Sequence, residues 1–367
     1  MFSPYLSLYL AETGFTVAQI GILMSLPQWM RIIAPPFWGW LADSRGHPDQ
    51  LMRLSSVLTL VAVCLLHGFS GFGIWIVGLM LALLFFVSAA QVPIGEAQTL
   101  RVTQGDSGEY GKIRLWGSIG FILAVASLGP ALDALGTHTL PFWMAGALLL
   151  LIVIVWSSRA DTAPAARPAS IIRLRERLRQ THIAAFFLAN FLMIFAHAAY
   201  YVLFSLFLEE QGYSKTAIGA LWTLGVVAEV ALFRWQRHLF VRFAALTLLG
   251  VSIAVAAVRF ALIGGSDGAL WILLSAQLLH AITFGLHHSA VMKILHQWFD
   301  VHQQARAQAL YVTLAYGLGG ALGGLVVSAL WVQVSPAGAF YGAGLAAAIG
   351  AVFALLAIRR APALVPE

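Results

Sequence analysis

The chain has 367 residues, 60% of them hydrophobic and 10% charged; soluble domains carry about 25% charged residues, so a water-surrounded globule is excluded and lipid is the expected solvent. The net charge of +6 is no mark of nucleic acid, because the basic residues sit where membrane topology would put them. Cys64, the single cysteine, lies in an apolar run and gives no disulfide framework, and no cleavable signal peptide is visible.

A membrane span needs about 20 apolar residues. The chain offers twelve candidates, six on either side of a polar stretch at 159–182. The expected fold is all-α: a six-helix bundle over 1–158, a linker over 159–182, a second six-helix bundle over 183–358 and a tail over 359–367. Residues 1–11 would rise only about 16 Å as a helix, against a hydrocarbon core of about 30 Å. The first span therefore reads as truncated or misassigned at its start. Span two, near 17–41, holds Pro27, Arg31, Pro35 and Pro36; proline frees backbone carbonyls and bends a membrane helix. GWLADSRGH (39–47) follows, then spans three and four near 51–69 and 74–97, the latter closing on Glu96. An inward loop over 98–112 leads through EYGKIRLWGSIGF into span five, and span six lies near 141–158. The linker joins a Pro/Ala piece (163–169) to IIRLRERLRQ, which suits either an anionic inner leaflet or a solvated connector. Spans seven to twelve follow near 183–208, 215–235, 242–263, 269–293, 305–332 and 339–358. In span eleven, Gly317, Gly319, Gly320, Gly323 and Gly324 form small-residue faces for close helix packing.

From a cytoplasmic start, eighteen of the 21 basic residues fall in inward loops, from Arg45 and Arg53 to Arg359 and Arg360. Only Lys215 falls in an outward loop. This positive-inside bias places both termini in the cytoplasm.

The chain also repeats itself. Shifted by 198 positions, Glu12, Gly14, Phe15, Thr16, Ile20, Gly21 and Leu23 fall on Glu210, Gly212, Tyr213, Ser214, Ile218, Gly219 and Leu221. The same shift lays Arg31 on Glu229. One helix-turn-helix unit is used twice, with opposite charges at equivalent depth. Parallel repeats of this length in so apolar a chain point to a two-halved membrane transporter.

Ionisable groups inside spans are costly and face partners or a water-filled path. Glu229, Arg259 and His280 come from three consecutive spans, and His287 shares a helix face with His280. An acid that must change protonation, a guanidinium that keeps its charge and an imidazole suit a proton relay; a static ion pair between spans eight and nine is the plainer alternative. His288 points elsewhere and reads as structural. His197, Tyr200, Tyr201 and Trp222 either line a substrate pocket or form an aromatic packing seam. Arg31 suits an anionic substrate group or a carboxylate partner. Glu96 and Arg114 form either a charge pair across a cavity or a salt bridge at the loop mouth. No nucleophile–base constellation or metal cluster argues for an enzyme, and there is no length for a sensor domain.

On these residues the chain resembles the major facilitator superfamily. GWLADSRGH is similar to that superfamily's loop motif between spans two and three: Gly39, Asp43 and Gly46 match, while Ser44 and His47 depart and Arg45 is shifted by one. Within the superfamily, EYGKIRLWGSIGF, AHAAYY, GYSKTAIGALWTLGVVAEV, AVRFALIG and QLLHAITFGLHHSAVM are similar in order to the phenylpropionate permease group, related to lactose and nucleoside proton symporters. Glu96 and Arg114, eighteen apart, and Glu229, Arg259 and His280 also resemble the lactose permease pattern. That pattern has a further acid one turn beyond its histidine, where Phe284, His287 and His288 stand here. The resemblance implies substrate binding at Glu96 and Arg114 and proton coupling at Glu229, Arg259 and His280, with a gating role for Gly39, Asp43, Arg45 and Gly46.

The expected function is proton-coupled import of a small organic solute, an aromatic carboxylate such as 3-phenylpropionate foremost, with sugar or nucleoside symport and efflux by antiport as alternatives. No cofactor is expected beyond the proton as coupling ion, and no metal. The expected partners are the solute and the lipid bilayer, not nucleic acid, with the protein a monomer in a bacterial inner membrane.

Overall fold

The computed structural model describes residues 4–45, 47–104, 107–157 and 175–361. The described residues form helices and turns alone, in two compact units. One comprises Met1–Pro168 with Tyr213–Gly219, the other Ala169–Gly212 with Ala220–Glu367.

The first unit holds α1 (Leu6–Glu12), α2 (Val17–Arg45), α3 (Pro48–Gly68), α4 (Ile74–Ser88), α5 (Gln91–Val102), α6 (Ser107–Leu135) and α7 (Leu140–Ser157). Helix α2 packs on α4, and α3 packs on α4 and α7. Side chains tie these helices, two of them through backbone carbonyls that lipid cannot satisfy and one through a hydroxyl. Trp38 Nε1 donates to Phe86 O at 2.7 Å, Ser55 Oγ to Val87 O at 2.7 Å, and Gln91 Nε2 to Thr59 Oγ1 at 3.0 Å.

The second unit holds α8 (Arg175–Leu178), α9 (Thr181–Ala198), α10 (Phe204–Glu210), most of α11 (Lys215–Arg242), α12 (Ala245–Gly264), α13 (Leu270–Leu278), α14 (His287–Trp298), α15 (Val301–Tyr311), α16 (Gly320–Gln333) and α17 (Pro336–Arg360). Three π-helical segments interrupt its spans: π1 (Ala199–Leu203), π2 (Ala281–Leu286) and π3 (Val312–Gly319). Its centre is α9, α12 and α17, which meet along small residues. A Cβ built on Gly344 would lie 3.1 Å from Ala257 O, and one on Gly350 3.3 Å from Ala189 O. The glycine face expected in span eleven behaves in the same way. A Cβ on Gly319 would come 2.8 Å from Phe191 O, and one on Gly323 would come 2.8 Å from Phe195 Cα. Lipid tails give helices no hydrophobic reason to associate, so close backbone approach supplies the attraction instead.

Eleven of the described helices are long and apolar enough to cross a membrane. The twelfth expected span is the short α1, of 7 residues. Several boundaries differ from expectation. Helix α2 runs unbroken through Pro27, Pro35 and Pro36 to Arg45. Lys112 and Arg114 lie inside α6, Arg234, Arg237 and Arg242 inside α11, and Arg306 inside α15, so these inward-loop positions are helical. Arginine in a last turn complements the helix dipole, and α11 extends accordingly.

The repeat is reproduced in the backbone. Helices α1 and α10 end at Glu12 and Glu210; Gly14 (φ 94°) and Gly212 (φ 82°) then turn the chain in the left-handed region that favours glycine. Gly14 N donates to Ala11 O at 3.0 Å, and Gly212 N to Glu209 O at 2.9 Å. The next helices begin at Val17 and Lys215, again 198 apart.

The two second helices are capped differently. At α2, Gln19 Oε1 accepts from Thr16 N at 2.9 Å, a local closure. At α11, Ser214 Oγ accepts locally from Ala217 N at 3.2 Å and a distant acid joins it: Asp133 Oδ1 accepts from Lys215 N at 2.7 Å, and Oδ2 from Thr216 N at 2.9 Å and Thr216 Oγ1 at 2.6 Å. Tyr5 Oη donates nearby to Val125 O at 3.1 Å.

Candidate functional site

A buried polar cluster lies in the second unit, around Arg259. Its side chain on α12 is fully buried. Nε donates to Ala276 O at 2.8 Å and Nη1 to Thr283 Oγ1 at 3.2 Å. The Tyr200 ring covers the guanidinium at 4.5 Å and the Phe260 ring lies 5.6 Å away. A desolvated cation over an aromatic face gains about 2 kcal/mol, which offsets only part of the cost of burying a charge. Nη2 has no hydrogen-bond partner.

The wide turns build this nest. Segment π1 presents Tyr200 and Tyr201, and π2 presents Thr283 and Gly285, on helices that the regular α pattern would phase differently. Tyr200 Oη donates to Gln277 Oε1 at 3.1 Å. Its ring lies 4.2 Å from Trp222 and 5.2 Å from His280, and His280 stacks on Phe284 at 5.3 Å. Trp222 Nε1 donates to Ser205 Oγ at 3.0 Å.

Glu229 reaches the same cluster from α11, half-buried. A Cβ on Gly285 would come 2.9 Å from Glu229 Cγ, and one on Gly225 would come 3.2 Å from both Gln277 Oε1 and His280 Cδ2. Two glycines thus let α11 and the α13–π2 region close around the acid. Glu229 packs against π2, the segment whose Thr283 accepts from Arg259 Nη1.

Three histidines complete the cluster, each buried with one ring nitrogen unpartnered: His197 Nε2, His280 Nδ1 and His287 Nε2. Gln277 Nε2 is unpartnered as well. Such orphaned polar atoms are costly in a low-dielectric interior and mark working sites more often than scaffolding. Among the described residues no group of three or more His, Cys, Asp or Glu side chains is placed to hold a metal ion.

Sequence reasoning brought Glu229, Arg259, His280 and His287 together, and the structure gathers them in one unit. His197, Tyr200 and Trp222 are packed inside that unit, with Tyr201 half-buried, and their rings contact one another. Arg31, Glu96 and Arg114 are exposed in the first unit. Among the described residues no ion pair joins Glu96 to Arg114; the Arg114 guanidinium instead lies over Gly117, whose Cβ would meet Nη1 at 3.1 Å. Gly39 is exposed on α2 and Asp43 and Arg45 fall in its last turns. The side chains of Asp43 and Arg45, Gly46, and residues 158–174 of the linker lie outside the described residues. Sequence reasoning missed Gln277 and Thr283. Both stand three residues from His280 on the same helical face, a spacing that was readable.

A model of the family described as MFS_1 like family matches residues 1–342. A probable 3-phenylpropionic acid transporter of Escherichia coli (strain K12) is 29% identical over 328 residues, covering 86% of this chain and 83% of the relative. A maltose permease of Geobacillus stearothermophilus is 28% identical over 322 residues, covering 86% and 80%. The crystal structure of the nucleoside transporter NupG superposes with a TM-score of 0.77 at 16% identity, covering 98% of this chain and 94% of that one. At that identity the likeness speaks to fold alone.

Proposed function

The chain belongs to the MFS_1 like family and is a multi-pass transporter of the major facilitator type, and on that premise we propose that it imports a small organic solute together with a proton. The observation that supports this reading is the buried Arg259, with one nitrogen unpartnered and another donating to Thr283 of π2, the segment against which Glu229 packs at Gly285. A permanent charge beside an acid that can be neutral or ionised is a switch for one proton. Glu229 holds the proton in the loaded state, and its release restores a counter-charge beside Arg259. The proton is the coupling ion, no resident cofactor takes part, the protein acts as a monomer, and both termini lie in the cytoplasm of a bacterial cell.

For the cargo we favour an aromatic carboxylate such as 3-phenylpropionate. Arg31 and Arg114 offer exposed guanidinium groups in the first unit, suited to a carboxylate. Glu96 and Gly39 accompany them there, Gly39 with the gating segment through Asp43, Arg45 and Gly46. Sugar symport is the second reading, favoured by the relative named maltose permease.

The test is uptake into proteoliposomes. Glu229→Gln abolishes accumulation driven by a pH gradient while leaving solute exchange intact; gradient-driven uptake that survives the substitution overturns the proposal. A thermal-shift screen against aromatic acids, sugars and nucleosides separates the two cargo readings.

A further inference from the structure

The first turn of α11 is held from outside its own helix. That turn belongs to the first unit, with Tyr213–Gly219, while the rest of α11 continues in the second. Ser214 Oγ already caps it, accepting from Ala217 N at 3.2 Å. Asp133 adds three bonds that a helix start does not require, since the equivalent turn at α2 closes on its own Gln19. The acid is also ill placed on its own helix. It lies in the last turn of α6, where the macrodipole favours cations and disfavours a carboxylate. The N-terminus of α11 reverses that sign.

Two glycines and a tyrosine shape the contact. A Cβ on Gly129 of α6 would come 2.8 Å from Thr216 Cα and 2.9 Å from Lys215 O, and one on Gly219 would overlap the Tyr5 hydroxyl. Tyr5 Oη lies 3.1 Å from Val125 O and 3.3 Å from Lys215 O, with one hydrogen to give. If α11 moved off α6, Tyr5 would keep Val125 O as its acceptor and Ser214 would keep the helix capped. Asp133 and Thr216 would return to water, to which both are already exposed.

We propose that Asp133 is a gating residue of the transport cycle: its carboxylate latches the first turn of α11 onto α6, and the latch releases when the outward path opens. This rests on the transport reading above and on its orientation, which puts the turn on the outward side. Bonds from exposed donors compete with water on nearly even terms, so the latch opens at little cost. Glu229 stands further along the same helix, so the acid proposed for coupling and the latch act on one rod.

The test needs no cargo. The full chain in lipid nanodiscs, with Cys64→Ser removing the native thiol, carries Val125→Cys as reporter. Val125 is fully buried beneath Gly219, whose Cβ would lie 3.3 Å from Val125 Cγ1. A membrane-impermeant maleimide reaches that position only when α11 leaves α6. Asp133→Asn replaces the carboxylate by an amide with a single acceptor; Gly129→Ala keeps every hydrogen-bonding group and holds the two backbones apart. We expect each variant to raise the labelling rate about tenfold. Labelling at Ser252→Cys, fully buried in α12, stays unchanged, which separates an opened latch from unfolding. A rate at Val125→Cys that either variant fails to raise overturns the inference, as does a parallel rise at Ser252→Cys. Labelling uses neither cargo nor a pH gradient, so its failure is distinguishable from failure of the Glu229→Gln uptake test.

Discussion

The two copies of the helix-turn-helix unit share a backbone and divide the chemistry. Turn, left-handed glycine and helix start recur at a spacing of 198 residues, yet one second helix carries an exposed Arg31 and the other a half-buried Glu229. The same division extends to their units. Arg31, Glu96 and Arg114 are exposed in the first, whereas Arg259, His197, His280 and His287 are buried in the second. Exposed guanidinium groups can meet a diffusing solute. Buried groups with orphaned nitrogens are shut off from such a solute and are costly to leave unpaired. On the function proposed above, the first repeat would meet the cargo and the second would carry the coupling.

The largest expected effect sets these charges against each other. Glu229→Gln lowers gradient-driven accumulation by about a hundredfold, close to 3 kcal/mol of lost coupling, with exchange retained. Arg31→Gln raises the KM for 3-phenylpropionate about tenfold, the weight of one charge-assisted contact, and leaves the pH dependence of uptake alone. If the two variants behave alike, the division of labour is wrong.

Packing gives the next contrast. Gly323→Ala drives a methyl into Phe195 and Ala198 and costs about 1–3 kcal/mol by overpacking. Gly120→Ala, in α6 of the first unit, meets nothing within 4 Å and stabilises by about 0.5–1 kcal/mol. Melting curves in detergent read both.

Capping sharpens the comparison further. Asp133→Ala removes three hydrogen bonds from the first turn of α11 and lowers stability by about 1 kcal/mol. Gln19→Ala at α2 loses the local cap and costs less, because Thr16 Oγ1 still reaches Gln19 N, at 3.4 Å. The smallest effect is at the first turn. Partial burial raises the Glu12 carboxyl, but hydrogen bonds from His138 and Thr137 outweigh it and hold the group below its usual value. Its stabilising contribution is therefore present above the unfolded-state value of about 4.3 and fades as the pH falls through the lowered one. Glu12→Gln melts below wild type at pH 7, and the gap narrows as the pH falls below the usual carboxylate range.

Much of the fold was legible because bilayer physics writes in long apolar runs, and because Gly14 and Gly212 mark turns that few other residues fit. The charged cluster was legible for the same reason: Glu229 and Arg259 are conspicuous where charge is expensive. The helix ends were not. Arg237, between the expected spans eight and nine, reads as a loop residue, although α11 continues to Arg242. Nor was Asp133 legible as the cap of α11, since nothing local ties a residue to a partner more than eighty positions away. The π segments escaped because an extra residue in one turn leaves composition untouched.

Those wide turns set the angular phase of the spans that contain them. A regular helix advances about 100° per residue, so excising a single residue from 199–203 or 281–286 would swing every later side chain of that span by roughly that angle. Tyr200 or Thr283 would leave the guanidinium, and the aromatic faces would turn toward lipid. Single-residue deletions there will uncouple the protein while sparing its insertion, whereas point substitutions at the same positions leave the phase intact.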